Sequence, residues 1–204
     1  MILNDIDIRN RVLDFQSFKM EKPLIAPFSE RQLQGASYDV TLDEEIVFIR
    51  ALNNVIDIKD AVQIDDMYEK RLIGEDGILL MPHSYALITL KETLYIPSEL
   101  SAHIRPKTRY TRLGLFVSGQ HINPDSICKL NLGVYNMTDN PFRLYSGISV
   151  AQIVFEKMSG SPSKDKLYKT KAGSHYAEDI EFVGADFSDE FSSLINKEVE
   201  KLLK

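Results

Sequence analysis

Four cations are concentrated in one short stretch of an otherwise acidic chain. Arg105, Lys107 and Arg109 alternate along the sequence, and Arg112 follows three residues later. On a strand, alternating residues point to the same side of the sheet, so the first three cations would share one face. Because the chain has a formal net charge of −6, this concentration indicates a binding site for a small polyanion. A solvated charged strand is the alternative interpretation.

Several catalytic sites are excluded by the residue types present. Zinc-dependent nucleobase deaminases need an H-x-E motif and a P-C-x-x-C motif to hold the metal and move protons. Cys128 is the only cysteine, so neither this zinc site nor an internal disulfide can form. The sequence has no Walker loop and no dinucleotide fingerprint. No G-x-S-x-G marks a nucleophilic serine, although a Ser-His-Asp triad remains open.

The acidic balance also bears on the partners of the protein. A general nucleic-acid binder needs a cationic face to displace phosphate counterions, so we expect no nucleic-acid partner. The sequence has no stretch of about 20 apolar residues, the length that a bilayer-spanning helix needs. Its charged N-terminal segment is unlike a signal peptide. We therefore expect a cytoplasmic protein without a membrane partner.

The pattern of apolar residues predicts a mainly β protein. Between about residues 36 and 155, runs rich in Ile, Val, Leu, Tyr and Thr are separated by turn residues, which is typical of a sandwich or barrel. The turn Gly74–Gly77, between Leu72 and Ile78, is interpreted as a hairpin. The predicted strands cover residues 37–42, 45–49, 85–90, 113–119, 128–136 and 149–156.

A helix is predicted at each end of the chain. Asn4 precedes Asp5 and the apolar residues Ile8, Val12 and Leu13, a pattern typical of a short capped helix. At the other end, residues 188–204 carry their apolar side chains at helical spacing. We therefore predict a C-terminal helix with one apolar face.

The stretch between the last predicted strand and the C-terminal helix has a different composition. Residues 157–180 include a Gly-, Ser- and Lys-rich run with few apolar side chains. We interpret them as a surface loop or as a mobile lid over a ligand. We expect one domain over residues 1–204, with its core at about residues 30–160.

Five segments occur in the order and at the spacing of the motifs of one enzyme family. The most informative, IRPKTRYTRLGL at 104–115, resembles a G-R-S-S-x-A-R-L-G-L motif, and residues 118–136 resemble an I-D-P-G-x-x-G-x-x-x-L-E-x-x-N motif. Together the segments resemble the dCTP deaminase family of the dUTPase-like superfamily, over about residues 30–176. The five segments are residues 34–42, 81–100, 104–115, 118–136 and 145–160.

This resemblance implies a fold, a ligand and an assembly. The family has a distorted jelly-roll β-barrel and assembles as a homotrimer with active sites between subunits. It binds a deoxypyrimidine triphosphate with Mg²⁺ on the phosphates, and it converts dCTP to dUTP without zinc. For this chain we therefore expect a dUTPase-like fold, a homotrimer, and a deoxypyrimidine triphosphate bound with Mg²⁺.

The cationic stretch aligns with the arginine motif of the family. Arg112 matches an arginine that orients the base and the catalytic water, and a planar, permanently charged fork suits that role; a structural salt bridge is the alternative. Thr108 falls on a serine whose hydroxyl serves the water or the phosphates, and threonine keeps that donor and acceptor. Lys107 replaces an arginine and loses bidentate geometry. Arg109 replaces a serine and adds charge.

The same alignment assigns further residues to the nucleotide. Gln152 matches a glutamine of the fourth motif, and Asn136 matches the asparagine that closes the third, although buried amides often serve the fold instead. Tyr168 and Tyr176 align with tyrosines of the C-terminal segment that covers the nucleotide. His175 replaces a lysine near the phosphates, which weakens that contact.

Two acids of the family are replaced in this sequence. Counting back from Asn136, the glutamate that acts as general acid and base is Gly133, and the aspartate of the I-D-P motif is Asn123. Neither residue can accept a proton near neutral pH, and such a group typically contributes about 10²–10⁴-fold to rate. Asp125 is the nearest substitute acid. Glycine at 133 would also leave space in the base pocket for a modified pyrimidine.

Three hypotheses follow from these residues. The protein is an enzyme on deoxypyrimidine triphosphates, either a dCTP deaminase or a dUTP diphosphatase; or it is a catalytically inactive nucleotide-binding regulator or partner subunit; or it is a structural trimer with a vestigial pocket. The predicted catalytic residues are Thr108, Arg112 and Asp125. The predicted nucleotide-binding residues are Lys107, Thr108, Arg109, Arg112, Asn123, Gln152, Tyr168, His175 and Tyr176.

Overall fold

Strands make up most of the regular structure, as predicted for a mainly β protein. The computed structural model describes residues 1–51, 55–167, 181–187 and 191. The strands within these residues are β1 (Ile25–Ala26), β2 (Leu33–Gln34), β3 (Ser37–Ile49), β4 (Tyr68–Leu72), β5 (Ile78–Leu80), β6 (Tyr85–Ile96), β7 (Leu100–Pro106), β8 (Leu115–Val117), β9 (Gln120–Ile122), β10 (Ser126–Asn136), β11 (Phe142–Leu144) and β12 (Ser149–Lys157).

Helices are short and few in the described part of the chain. The α-helices are α1 (Asp5–Leu13), α2 (Ala61–Asp66) and α3 (Thr108–Thr111), and 3₁₀ turns lie at Phe15–Phe18, Glu30–Gln32 and Lys164–Lys166. None of these described helices has the length and apolar character needed to cross a membrane. All but one residue of the predicted C-terminal helix over 188–204 lie outside the described residues.

The main sheet curls until its two end strands lie close together. Its strands follow the order β8-β10-β6-β3-β12-β7-β9, and β1, β2 and β4 pair off this path. The end strands β8 and β9 are consecutive in the chain, because only Ser118 and Gly119 separate Val117 from Gln120. So short a connection spans roughly 10 Å at most. The sheet therefore curls into an incomplete barrel whose end strands are close but do not pair within the described residues, and the small β5–β11 sheet completes the described strands.

Apolar side chains of the long strands fill the interior of the barrel. Tyr38, Leu42, Ile46, Leu90 and Phe155 are fully buried. Burial of such side chains contributes roughly 1.5–3 kcal/mol each to folding. These buried side chains pack β3, β6 and β12 against one another.

The predicted N-terminal helix is confirmed as α1. Asn4 lies at its N-cap, where the side-chain oxygen accepts a hydrogen bond from the Asp7 backbone N–H at 2.8 Å. This satisfies one of the backbone donors that have no partner in the first turn. Ile8 and Val12 are buried, whereas Leu13 is exposed. The helix therefore packs on the barrel through Ile8 and Val12 but not through Leu13, the third apolar residue of the predicted pattern.

A buried carboxylate fixes strand β3 relative to strand β6. Glu92 is only 1% exposed. It accepts hydrogen bonds from the Thr41 backbone N–H at 2.9 Å, from the Thr41 hydroxyl at 2.8 Å and from Gln32 Nε2 at 2.8 Å. A carboxylate that accepts several donors tolerates burial that would otherwise cost several kcal/mol.

The predicted hairpin at Gly74–Gly77 is wrong, although the turn itself forms. The Gly77 N–H donates to the Gly74 carbonyl at 2.9 Å, and Gly77 has a left-handed φ of 74°, which glycine adopts without steric cost. The flanking strands do not pair with each other, however: β4 pairs with β3, and β5 pairs with β11. Tertiary pairing thus decides where each strand goes after the turn.

Two predicted strands are one continuous strand. Residues 37–42 and 45–49 both lie in β3, which pairs with β6 through a register shift between Leu42 and Ile46. A shift of this kind lets one strand bend while its pairing continues. The charged residues between the two apolar runs lie at the bend and not in a turn.

Candidate functional site

A cleft opens over strands β6 and β10, beside the end strand β9. It has a volume of about 580 Å³ and is lined by residues from β6, β9, β10 and the segment 182–185. The residues that matter here are Tyr68, Tyr85, Leu87, Gln120, His121, Asn123, Cys128, Lys129, Asn131 and Phe182. The cleft is concave and partly apolar with a few polar groups, which is typical of a small-molecule site.

The polar groups of the cleft are held by hydrogen bonds to neighbouring strands. Asn131 accepts a hydrogen bond at Oδ1 from the Thr89 hydroxyl at 2.8 Å, so its Nδ2 is left to donate. Gln120 donates from Nε2 to the Asn131 backbone carbonyl at 2.8 Å, so its Oε1 is left to accept. These contacts fix the side chains that a ligand would meet.

A lysine brings charge to the cleft but is already paired. Lys129 donates from Nζ to Asp43 Oδ2 at 2.5 Å, and each side chain is 25% exposed. Within the described residues, no Asp or Glu lines the cleft itself. A carboxylate that could act as a general base is therefore missing from this part of the lining, whereas the His121 imidazole is present.

A segment near the C-terminal end of the chain covers one side of the cleft. The Phe182 ring packs edge-on against Tyr68 with ring centroids 5.0 Å apart, and Lys70 Nζ lies 5.3 Å from the Phe182 ring centroid. The Ala185 backbone N–H donates to the Tyr68 hydroxyl at 3.0 Å. The sequence analysis missed Tyr68 and Phe182, because nothing in their local sequence signals that they meet.

Gly133 does not leave the open space that the sequence analysis expects. A Cβ atom built on Gly133 would lie 2.9 Å from Cε2 of Tyr85 and closer still to the Tyr85 hydroxyl oxygen. The phenol ring therefore occupies the volume that a side chain at 133 would need. The expectation of an enlarged pocket is wrong, because the volume is filled by a residue from another strand.

Asn123, which the resemblance aligns with an aspartate of the family, and Asp125, the expected substitute acid, line two adjoining clefts that share Ser126. Asn123 lines the cleft described above. Asp125 lines the second cleft, of about 540 Å³, together with Lys19 and Glu99. Its φ of 60° is left-handed, a conformation that Asp tolerates better than most residues. This placement does not favour Asp125 as a substitute acid for the first cleft, and its catalytic role stays a prediction.

The cationic segment, residues 105–112, is not the alternating strand that the sequence analysis expects. Strand β7 ends at Pro106, and the chain then forms the single helical turn α3. The prediction that Arg109 shares a strand face with Arg105 is therefore wrong. Proline lacks the N–H that a central strand donates to its ladder, so a strand commonly ends there.

Two cations of this segment contact the barrel. Lys107 Nζ pairs with Asp39 Oδ2 and lies 3.3 Å from the Ser149 hydroxyl. Arg109 donates from Nη2 to the Ser149 carbonyl at 2.6 Å. The ion pair is largely buried, with side-chain exposures of 20% and 12%. Lys107 and Arg109 therefore brace α3 against β3 and β12, and their phosphate-binding role stays a prediction.

The remaining side chains of this segment face solvent. Arg105, Thr108 and Arg112 are exposed. Within the described part of the chain, the Arg112 guanidinium has no ion-pair or hydrogen-bond partner. Arg112 is thus available to a ligand, which fits its predicted role better than the structural salt bridge.

Two amides predicted near the nucleotide have different environments. Gln152 lies on β12 beside the cationic segment, opposite Asp39 and Arg105 in the sheet, and accepts a hydrogen bond from the Ser37 hydroxyl at 3.3 Å. Asn136 is fully buried. Its Nδ2 lies 2.8–3.2 Å from three backbone carbonyls, and its Oδ1 accepts from Thr138. Asn136 therefore serves the fold, and Gln152 belongs with the cationic segment.

One known protein family matches most of this chain. The dCTP deaminase-like family matches residues 2–158 of the chain. The chain belongs to that family. A dUMP-forming dCTP deaminase of Hydrogenobaculum sp. (strain Y04AAS1) is 30% identical over 164 residues, which cover 80% of this chain and 86% of that protein. A dCTP deaminase of Natronomonas pharaonis is 31% identical over 180 residues, covering 86% of this chain and 89% of that protein.

A solved structure shows the same fold. The crystal structure of 2′-deoxycytidine 5′-triphosphate deaminase from Agrobacterium tumefaciens superposes with a TM-score of 0.61 at 20% sequence identity. The superposition covers 82% of this chain and 50% of that chain. The fold is therefore the distorted jelly-roll β-barrel of the dUTPase-like type, as predicted.

Within one chain of this dCTP deaminase-like protein, the predicted site residues that the structure describes lie at three places: the cleft, the neighbouring cleft that Asp125 lines, and the cationic segment with Gln152. Asn123 lines the cleft, whereas none of Lys107, Thr108, Arg109, Arg112 or Gln152 does. The cationic segment and the cleft are thus separate surfaces of the protomer. The predicted residues Tyr168, His175 and Tyr176 lie outside the described residues.

The described residues contain no ready-made metal cage. No group of three or more His, Cys, Asp or Glu side chains is placed to hold an ion within this part of the chain. Mg²⁺ often binds proteins through one or two carboxylates, with substrate phosphates and water filling its other positions. The Mg²⁺ ion that the family resemblance implies stays a prediction.

Proposed function

We propose that this dCTP deaminase-like protein binds a deoxypyrimidine triphosphate with its base in the cleft. The chemistry of the lining carries the proposal: amide, hydroxyl and apolar groups line the cavity beside the His121 imidazole and the ion-paired Lys129, and no described residue of the lining supplies a carboxylate. Such a lining suits an uncharged planar base. Family membership supports the choice of a deoxypyrimidine nucleotide, since similar chains are named as dCTP deaminases.

The triphosphate is proposed to reach the cationic segment of a second copy of the chain. Arg112 is exposed and has no described partner, yet it does not line the cleft of its own chain. Arginine is well suited to phosphate because its planar fork donates in two directions. A closed homotrimer would bring each cationic segment to a neighbouring cleft through one repeated interface. Mg²⁺ would enter with the phosphates.

We propose further that binding is retained while the family chemistry is weakened. Gly133 and Asn123 stand where the resemblance implies acids, and Asp125 lies in a different cleft. The protein would then act as a nucleotide-binding regulator or as the partner subunit of an active relative. Turnover is the competing proposal, favoured by the dUMP-forming dCTP deaminases among the similar proteins; a dUTP diphosphatase is a variant of it.

A thermal-shift experiment combined with product assays tests these proposals. The full chain is heated with dCTP, dUTP or dTTP and Mg²⁺, and with dATP as the control that shares the triphosphate but carries a larger base. Saturation at about 100 times Kd stabilises the folded state by about 2.7 kcal/mol. For a chain of this size we expect the midpoint to rise by roughly 5–10 °C with a pyrimidine nucleotide.

The outcomes separate the hypotheses. A shift without ammonia or pyrophosphate release supports a binding protein. Ammonia released from dCTP supports a deaminase, and pyrophosphate released from dUTP supports a diphosphatase. If no pyrimidine nucleotide moves the midpoint, the proposed function is wrong and the cleft is vestigial. A shift of equal size with dATP would contradict a pyrimidine site.

A further inference from the structure

The Tyr85 phenol takes the place of a side chain at position 133. Ring atoms of Tyr85 would lie 2.9 and 3.0 Å from a Cβ built on Gly133, and the hydroxyl oxygen would lie closer. Real Cβ atoms do not approach other heavy atoms this closely, since such distances are well inside van der Waals contact. The ring can hold this position only because residue 133 is glycine.

The pairing of strands β6 and β10 explains how Tyr85 reaches this position. Gly133 lies opposite Leu87, and Tyr135 lies opposite Tyr85. Tyr85 is therefore a diagonal neighbour of Gly133, at a separation that an aromatic side chain can bridge. Ala86 points into the core, while Tyr85 and Leu87 both line the cleft. The strand thus aims the phenol into the cleft by its ordinary alternation.

The phenol is open to a ligand. Tyr85 is 42% exposed, and its hydroxyl makes no hydrogen bond to any residue that the structure describes. Burial of the ring raises the pKa of the Tyr85 hydroxyl above its ordinary value, and the nearby Tyr68 adds to the effect. The hydroxyl is therefore protonated at neutral pH, where it can donate one hydrogen bond and accept others.

We propose that the Tyr85 hydroxyl contacts the base of the bound nucleotide and takes over base recognition at the position left without a side chain by Gly133. The proposal rests on the proposed function, because it assumes that the base lies in the cleft. Asn131 Nδ2 and Gln120 Oε1 supply further hydrogen-bonding groups in the same lining. A neutral phenol recognises a base through hydrogen bonds, and it holds its own proton too tightly to serve as a general base.

Removal of one oxygen atom tests this role. Affinities of the full chain for dUTP and dCTP with Mg²⁺ are measured by calorimetry for the unaltered protein, for Tyr85→Phe and for Tyr95→Phe. Tyr95 lies on the same strand but lines the other cleft, so its substitution is a matched control. We expect Tyr85→Phe to weaken the better-bound nucleotide by about three- to tenfold, the usual effect of one neutral hydrogen bond. Tyr95→Phe should leave it unchanged.

The stability of the protein without nucleotide shows whether the Tyr85 hydroxyl has a structural role or a binding role. The urea midpoint of Tyr85→Phe should equal that of the unaltered chain, since the hydroxyl has no described partner within the protein. Equal affinities of Tyr85→Phe and the unaltered protein for both nucleotides would overturn the proposal while leaving the proposed function intact. A loss of affinity that merely follows a lowered urea midpoint would also overturn it. An unaltered chain that binds neither nucleotide would overturn both.

Discussion

Gly133 and Tyr85 form a pair whose substitutions should not be additive. Gly133→Ala places a methyl group against the end of the phenol ring, which belongs to a partly exposed side chain and can shift, so we expect a cost of less than about 1 kcal/mol. Tyr85→Ala removes the ring and should abolish that cost. Urea unfolding of both single variants and the double variant gives the coupling energy. Gly35→Ala is the control, because nothing lies within 4 Å of a Cβ at that position.

The family resemblance predicts that Gly133 replaces an acid, but the sequence does not reveal that the Tyr85 ring fills the space beside it. Alignment to the family motif identifies Gly133 as the residue at the acid position, and it predicts an empty space there. The partner that fills the space comes from strand β6, and only the register between β6 and β10 brings it near. Register is set by the whole sheet, so no local pattern around Gly133 or Tyr85 could have revealed the contact.

Arg112 should contribute to nucleotide binding without contributing to the fold. Its guanidinium is exposed, so Arg112→Ala removes no described internal contact. We expect the affinity for the bound nucleotide to fall about tenfold, a moderate value for a charge-assisted contact near solvent. Calorimetry measures the loss, and Arg31→Ala, an exposed arginine elsewhere on the chain, is the control. Unchanged affinity would mean that the alignment of the arginine motif is wrong.

At the scale of elements, the buried amide of Asn136 connects the end of β10 to the small β5–β11 sheet. Asn136→Ala would strip partners from the carbonyls of Leu80, Met81 and Asn140 and from the Thr138 N–H. We expect a loss of about 2–4 kcal/mol in the free energy of unfolding, because buried polar groups left unpaired cost about 1–3 kcal/mol each. Urea unfolding checks this value. Asn140→Ala, at an exposed asparagine in the same loop, should cost less than about 0.5 kcal/mol.

The strands were predictable as elements because their apolar runs are long and rich in β-branched residues. The predictions failed where pairing partners or strand ends decide the structure. Strand β7 ends at Pro106, a residue type that commonly ends strands. The alternating charges nevertheless predicted a strand that continued to Arg109. The turn at Gly74–Gly77 was local and correct, whereas the destination of the strands beside it depends on β3 and β11. The residues of a turn determine its conformation, whereas the whole sheet determines which strands pair with each other.

At the scale of the whole molecule, ligand binding should depend on assembly. The cationic segment does not line the cleft of its own chain, and the proposed function therefore has the triphosphate lying between two copies. A ligand shared by two chains stabilises their association by mass action. Sedimentation with dUTP and Mg²⁺ should therefore show a trimer at protein concentrations where the unliganded chain dissociates. The Arg112→Ala variant should lose this stabilisation.

Full nucleotide affinity in a protein that sediments as a monomer would contradict the shared site. The sequence alone could suggest a trimer only through its family resemblance. It could not show that Arg112 is absent from the lining of the cleft, because the lining depends on how the strands pair across the sheet. The ring contact between Phe182 and Tyr68 likewise could not be predicted from the sequence, because it forms only in the folded chain.

The position of the single cysteine allows nucleotide binding in the cleft to be followed by cysteine alkylation. Cys128 lies in the cleft wall and is only 6% exposed, so alkylation by N-ethylmaleimide should be slow in the folded protein and should add one label per chain. Bound nucleotide should slow the labelling further, and intact-mass spectrometry can follow the time course without any engineered probe. Cys128→Ser, which cannot be labelled, gives the baseline, and occupancy can be measured in the natural sequence.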